Sequence, residues 1–544
     1  MTAANNLLGI LDPKTLMNLY RAGAIDRRTP FALAASLPWL IGRGPSLGVL
    51  SRINATALGT KTALIDEQGA LSFAELDRRA ERAACLLARL GAGPEDGVAF
   101  LLRNGRVFLE LLLGAQKAGV TAYPLNTWAR PVGLRHCLET SRPRVLVYDT
   151  AHSDQLPQRT GHTVLVATDP TEKTAPGSLL YEELLQDASP SPQPAHARHP
   201  GSPRIVIQTS GTTGKPKGAS RKATSAGLRM LTSILSVVPY RRQDVIYCPA
   251  PAFHAFGLAT HVFATALGAT LILPRKFDPR EALATMESHR VTAASFVPVM
   301  IRRMLSLPEN IRELHDLSTL RIVLVSGASM PQGLRREAMR LFGDVLYDLY
   351  GSTETGWVAI ATPGDMKKRP GTVGRPAPGT EVAVFSAEGD PVTPGQVGEL
   401  HVRSGMLFEG YTSDDRKPLR DGYLAVGDLG WMSADDYLFI QGRADDMVIV
   451  GGENVYPIQI EEVIETMSEV SEACVAGVQD EEYGEVLVAF VEGETSEEEV
   501  LAVCRKELPS FKVPKRVHVV RELPRTGSGK VRRRELVERL ESRQ

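Results

Sequence analysis

Short apolar runs and amphipathic stretches alternate along most of the chain, clearly so from about residue 70. Ser72 and Glu75 have capping-box spacing, and Leu76, Ala80, Ala83, Leu87 and Leu90 follow at intervals of three and four. This pattern predicts a helix that stops at Gly91. Val145–Tyr148, Val164–Ala167, Arg204–Thr209, Thr270–Leu273 and Arg321–Val325 read as buried strands. Helical stretches lie between several of them, which predicts α/β layers around buried sheets.

After about residue 375 the texture changes to short strands and glycine-rich turns, as in Glu399–Arg403 and Tyr437–Gln441. A last unit has a helix opening at Pro457, with Ile460, Val463, Ile464 and Met467 on one face. Strand candidates Ala473–Val478 and Val486–Val491 follow it. The expected organisation is an extension over residues 1–50, a large domain over 51–443 and a small domain over 444–544. The fold class is α/β. The large domain has layered α/β subdomains and a β-rich subdomain, and the small one is α+β. Residues 189–203, rich in Ser and Pro, read as a surface connector. Phe31–Gly42 is the most apolar early stretch but falls short of the roughly 20 residues that span a bilayer. Packing on the main body is its first reading, and peripheral contact with a membrane its second.

At 544 residues the chain is too long for one simple core. Its 62 basic and 63 acidic residues give a net charge of −1, so no nucleic-acid surface is expected and an anion must be held by local arrangement. The five cysteines are scattered without zinc or CxxC spacing, which fits a reducing, cytoplasmic setting. The start of the chain lacks the basic and apolar regions of a signal peptide.

The densest local chemistry is Thr209–Lys217, TSGTTGKPK, directly after an apolar strand. Gly211 and Gly214 let backbone N–H groups converge on an anion. Thr209, Ser210, Thr212 and Thr213 add hydroxyls, and Lys215 and Lys217 add charge. A Walker A loop is ruled out by spacing, because Gly211 and Gly214 are only three apart and Pro216 follows Lys215. Pro216 also blocks immediate entry into a helix, so the chain is expected to stay a loop there.

This segment resembles the phosphate-binding signature of the adenylate-forming superfamily, which includes acyl- and aryl-CoA synthetases, amino-acid adenylation domains and beetle luciferases. Further motifs appear in family order. Tyr350–Thr355, YGSTET, is similar to the second nucleotide motif. The resemblance implies that Tyr350 stacks on adenine, that Gly351 and Ser352 permit close approach, that Thr353 touches the α-phosphate and that Glu354 holds Mg²⁺. Ser326, Gly327 and Ala328 resemble the segment lying along the adenine, and Asp428 matches the acid that binds the ribose hydroxyls. In QGRADDMVIVGGENVYP (441–457), Arg443 falls on the nucleotide-contacting arginine and Asp445 on the hinge of a mobile small domain. Gly451, Gly452 and Glu453 fall on the loop that lines the pantetheine channel. In PRTGSGK (524–530), Lys530 falls on the lysine that reaches the carboxylate and the α-phosphate.

The implied enzyme is an acid–thiol ligase that uses ATP, Mg²⁺ and coenzyme A to convert a carboxylic acid to its acyl-adenylate and then to a thioester. PAPAFHAFG (249–257) resembles the segment lining the acyl pocket. His254 stands where amino-acid adenylation domains carry an Asp, so amino acids are disfavoured. Phe256 and its apolar neighbours favour a fatty acid, and the chain most resembles bacterial fatty-acid–CoA ligases. Open alternatives are a fatty acyl-AMP ligase that loads a carrier protein and an aryl-acid CoA ligase. A nucleotide-binding pseudoenzyme is the non-enzyme alternative, and intact Lys530, Glu354, Asp428 and Arg443 argue against it. Expected partners are small molecules, with the protein as a monomer or homodimer, in the cytoplasm or at the inner face of the membrane.

Overall fold

The computed structural model describes residues 13–43, 46–157, 163–169, 171, 174–188, 203–210, 216–222, 233–411, 419–450, 453–480, 484–526 and 529–542. The predicted early helix runs over Phe73–Arg89 and is capped as expected. The Ser72 hydroxyl accepts from the Glu75 N–H, and the Glu75 carboxylate accepts from the Ser72 N–H. Its face of Leu76, Ala80, Ala83 and Leu87 is buried. It packs closely on the helix Arg106–Ala118, where a Cβ at Gly114 would lie 2.8 Å from the Ala83 Cβ.

Beneath these helices lies a mainly parallel sheet built on Gly97–Leu101, Thr121–Pro124, Val145–Tyr148, Val164–Ala167 and Arg204–Ser210. Its central strands are buried on both faces, which is why they read as continuous apolar runs rather than alternating ones. The strand Pro216–Lys222 runs antiparallel to Arg204–Ser210, and Gly410–Tyr411 pairs with Pro216–Lys222 in turn. The chain therefore enters a strand at Pro216 rather than remaining a loop. Proline is accepted as the first residue of a strand, and Pro216 does not rule one out.

A second sheet begins with parallel strands Thr62–Asp66, Thr270–Ile272, Val245–Tyr247, Ala293–Phe296, Ile322–Val325 and Leu346–Ser352. It continues without a break into antiparallel strands Gly356–Ala361, Thr372–Pro376, Leu438–Arg443, Tyr423–Met432, Gly398–Ser404 and Thr380–Phe385. The change of texture near residue 375 is thus a change of strand direction within one sheet.

The last unit has its own core of Val448, Val455, Ile460, Ile464, Val475, Ala489 and their neighbours. Strands Val470–Asp480 and Gly484–Gly493 pair antiparallel, and Arg516–Val520 adds parallel to the second of them. The helix Pro457–Ile464 covers one face. The mixed α/β architecture with a large N-terminal and a small C-terminal domain is the expected one.

Residues before 50 are more regular than the sequence suggested. Helices span Pro13–Arg21 and Thr29–Arg43, and a third, Leu47–Leu58, crosses the expected boundary at 50. The apolar residues of the second helix are not confined to its buried side, so helical periodicity does not show. Among the described residues, no helix is long and apolar enough to cross a membrane.

Candidate active site

Ligands of open parallel sheets collect at the carboxyl ends of the strands. Here Ala250 and Pro251 follow Val245–Tyr247, Ser326 follows Ile322–Val325, and Tyr350 and Gly351 end Leu346–Ser352. They open on one cleft of 1680 Å³ between the two domains. Sites for one small molecule run to about 300–1,000 Å³, so there is room for two substrates. Its lining includes Lys217, His254, Phe256, Gly327 and Ala328. It also includes Tyr350, Gly351, Ser352, Thr353, Glu354, Asp428, Arg443, Asp445 and Lys530.

The strands on either side of the glycine–threonine segment pair antiparallel, with Thr209 opposite Lys217 and Ser210 opposite Pro216. Gly211, Thr212, Thr213, Gly214 and Lys215 lie outside the described residues, as do the side chains of Thr209 and Ser210. Lys217 points its ammonium at the face of Tyr411, 5.4 Å from the ring centre.

Tyr350–Ser352 close the strand Leu346–Ser352, and Thr353–Thr355 turn it into Gly356–Ala361. Gly351 is there because the strands touch: a Cβ would fall 2.1 Å from the Gly356 carbonyl oxygen. The Ser352 hydroxyl accepts from the N–H groups of Glu354 and Thr355, both at 3.2 Å, and fixes the turn. Glu354 Oε1 accepts from the Tyr411 hydroxyl at 2.8 Å. Gly327, at φ +94°, lets the chain bend after its strand, where Ser326 donates to the Leu349 carbonyl at 2.7 Å.

Asp428 sits inside the strand Tyr423–Met432 rather than in a turn, directly opposite Arg443. Its two oxygens have different partners. Oδ2 accepts from the Tyr350 hydroxyl at 2.5 Å, and Oδ1 receives Arg443 Nη1 at 3.1 Å. Burial, then the adjacent carboxylate, hold the Tyr350 phenol protonated far above the ordinary range. Arg443 also gives its Nε to Asp445 at 3.0 Å, in the turn that leaves the large domain.

Lys530 reaches the cleft from the small domain. Thr526 and Lys530 are held together, with Thr526 N–H donating to the Lys530 carbonyl at 2.7 Å and Gly529 N–H to the Thr526 carbonyl at 2.9 Å. Gly529 has φ +86°, and a Cβ on it would strike Val299 of the large domain at 2.6 Å. The lysine stays accessible from the cleft mouth, but its ammonium is hemmed in by both domains. Desolvation lowers its pKa, while Asp428 and Glu354 pull it back up.

His254 caps the amino end of the helix Ala255–Leu267 and rests against Phe253, ring centres 4.5 Å apart. Its buried Nε2 has no hydrogen-bond partner. Burial, reinforced by Lys530, lowers its pKa to about 4, so the ring is neutral at physiological pH. Gly257 is required next to it, since a Cβ there would lie 2.2 Å from the Pro251 carbonyl oxygen.

One predicted group does not join the cleft. Glu453, itself exposed, begins the strand Glu453–Val455 and is absent from the lining, while Gly451 and Gly452 lie outside the described residues. Sequence reasoning missed Tyr411, Trp128 and Arg302. Tyr411 and Trp128 stand in segments without periodicity. Trp128 packs on Phe253 at 5.0 Å and on His254 at 6.1 Å. Arg302 lies on the ordinary amphipathic helix Pro298–Leu305. Nothing local marks any of them.

The site and fold define an enzyme of the AMP-forming, acyl-activating kind. The chain matches the family of AMP-binding enzymes over residues 52–412 and the C-terminal domain of those enzymes over 459–530, and it belongs to that family. It is 34% identical to an indoleacetate–CoA ligase of Aromatoleum aromaticum, across 88% of this chain and 96% of that one. It is 31% identical to the long-chain-fatty-acid–CoA ligase FadD13 of Mycobacterium tuberculosis, across 85% and 91%. Among solved structures, the anthranilate CoA ligase AuaEII in complex with anthranoyl-AMP superposes with a TM-score of 0.82 at 25% identity, covering 92% of this chain and 98% of that one. The chain is an acid–thiol ligase.

Proposed function

We propose that the enzyme joins a fatty acid to coenzyme A through an acyl-adenylate, at the expense of ATP. The observation that carries this reading is the entry of Lys530 from the small domain into a cleft that is also lined by Asp428, Glu354, His254 and a set of apolar side chains. The apolar side chains are Ile205, Ile207, Leu258, Val262 and Phe263. Such a wall suits an alkyl chain and offers no carboxylate for an amine.

A carboxylate is a poor electrophile because oxide is a poor leaving group. In the first step a carboxylate oxygen attacks the α-phosphorus, and the bond from that phosphorus to the bridging oxygen of pyrophosphate breaks. Charge grows on the α-phosphoryl and pyrophosphate oxygens, so positioning and electrostatic stabilisation dominate. Lys530, the segment 209–217 and Thr353 would supply the donors. Asp428 would take the ribose hydroxyls. Tyr350 would present its ring to the adenine, with Gly327, Ala328 and Gly351 allowing close contact.

Glu354 fits a role in holding Mg²⁺, which would neutralise phosphate charge. It is a hard oxygen donor, and Tyr411 orients it. Among the described residues no cluster of three or more His, Cys, Asp or Glu could hold a metal, which suits an ion bound mainly by the nucleotide.

In the second step the thiol sulfur attacks the acyl carbon, AMP leaves, and the thiol proton goes to solvent. Lys530 and Glu453 lie on the same small domain, and we assign Asp445 as the hinge that exchanges them. An aryl acid is the second reading, favoured by the likeness to the indoleacetate ligase. Pyrophosphate release measured across a panel of fatty and aryl acids distinguishes the two, and CoA-dependent AMP release identifies the acceptor. Preference for aryl acids, or AMP release that ignores CoA, would overturn the proposal.

A further inference from the structure

The helix Thr29–Arg43 faces the wrong way for a helix in water. Every exposed side chain from Pro30 to Pro38 is apolar, with Phe31 at 73%, Leu33 at 42% and Leu37 at 47% exposure. The polar Ser36 is turned inward at 1% exposure, and its hydroxyl has no hydrogen-bond partner. Exposing Phe and Leu to water is unfavourable unless something apolar covers the outer face, and turning Ser36 inward leaves that face wholly apolar for such a cover to meet.

The neighbouring charge tells what that is. Lys14, Arg21, Arg27 and Arg28 are all exposed along the two N-terminal helices and the turn between them. The one acid in this stretch, Asp26, is already engaged. It accepts from the Thr29 hydroxyl at 3.0 Å and faces Arg242 of the main body at 3.2 Å. Met17 and Tyr20, exposed on the preceding helix, add apolar area. An apolar face flanked by basic residues matches an anionic lipid surface. A second copy of the chain fits worse, because a two-fold contact through this face would bring like charges together.

We propose that residues 13–43 form a platform that docks the enzyme on an anionic membrane leaflet. The platform also adjoins the cleft. The Thr29–Arg43 helix packs on Leu47–Leu58, whose first turn puts Leu47 and Leu50 into the cleft lining. Under the fatty-acid reading above, the platform therefore lies beside the cleft that takes the alkyl chain.

The test uses the full chain and sedimentation with phosphatidylcholine vesicles, with and without phosphatidylglycerol, in the absence of ATP and acid. Vesicle binding is thus judged apart from ligase activity. Wild-type protein should bind the anionic vesicles at least about tenfold better than the neutral ones and release as salt rises. The Phe31→Ser/Leu37→Ser and Arg27→Glu/Arg28→Glu pairs should each lose about tenfold or more, with pyrophosphate release on a short soluble acid unchanged as proof of folding. Failure of the wild type to bind anionic vesicles would overturn the proposal. So would double variants that bind as well as wild type, or a stable dimer that Phe31→Ser/Leu37→Ser dissolves.

Discussion

Arg302 of the large domain lies 3.7 Å from Glu472 of the small domain and 3.6 Å from Glu465. Glu472 is paired in turn with Arg525, at the base of the loop that carries Lys530, and Arg525 Nη1 donates to the Gly529 carbonyl at 3.4 Å. A chain of charge thus links the large domain to the lysine tip. Replacing Arg302 by Met should slow adenylation by roughly three- to tenfold and spare thioester formation from supplied acyl-AMP. Half-reactions measured separately check this, and equal loss in both would mean that Arg302 only stabilises the fold.

Glu465 at the same interface has its pKa raised to about 7, chiefly by burial, which outweighs the pull of Arg302. An acid whose folded pKa is raised favours the folded state most when protonated. Its contribution is therefore full below the ordinary value of 4.5 and is lost as pH rises through about 7. Thermal unfolding of wild type and Glu465→Gln between pH 5 and 8 checks this. The variant should gain stability relative to wild type toward the alkaline end, and parallel curves would contradict the assignment.

His254 and Lys530 differ in what their titration should do. With a pKa near 4, His254 is neutral throughout the working range, so His254→Ala should change the preferred acid and leave the pH–rate profile above pH 5 unaltered. Lys530, lowered from 10.5 by desolvation, should lose its proton earlier than an ordinary lysine. Adenylation should then fall on an alkaline limb below 10.5 that thioester formation lacks. A limb that follows His254→Ala would contradict both assignments.

The hydrogen bond from Tyr411 to Glu354 orients the proposed Mg²⁺ ligand. Tyr411→Phe should raise the Mg²⁺ concentration for half-maximal adenylation by up to about tenfold, with little change at saturating Mg²⁺. Rates across a Mg²⁺ titration decide it, and an unshifted midpoint would remove Tyr411 from the site.

Motifs were legible in the sequence where chemistry needs contiguous residues. TSGTTGKPK, YGSTET and PRTGSGK each pack glycine with donors or acceptors, and Lys217, Tyr350, Gly351, Ser352, Thr353, Glu354, Arg525, Thr526, Gly529 and Lys530 from the three line one cleft. Buried parallel strands were legible as apolar runs. What single segments could not give is pairing between distant ones. Pro216 argues locally for a loop, but its partner strand Arg204–Ser210 makes it the start of a strand. Asp428 reads from its motif as the ribose-binding acid, and only the pairing of its strand with the next shows that it also faces Arg443 in an ion pair. Phe31–Gly42 stood out as an apolar stretch, but its helical form within Thr29–Arg43 was not legible because polar and apolar positions do not sort by burial along it.

The most direct measurement of the central claim is acid-dependent exchange of labelled pyrophosphate into ATP by wild-type protein and by Lys530→Ala. A fatty acid should support exchange in the wild type, and the variant should lose at least about 10²–10³ of it while still converting supplied acyl-AMP and CoA to thioester. Exchange that persists in the variant, or is absent from the wild type with every carboxylic acid tried, would contradict the convergence of the glycine–threonine segment and the lysine on one nucleotide.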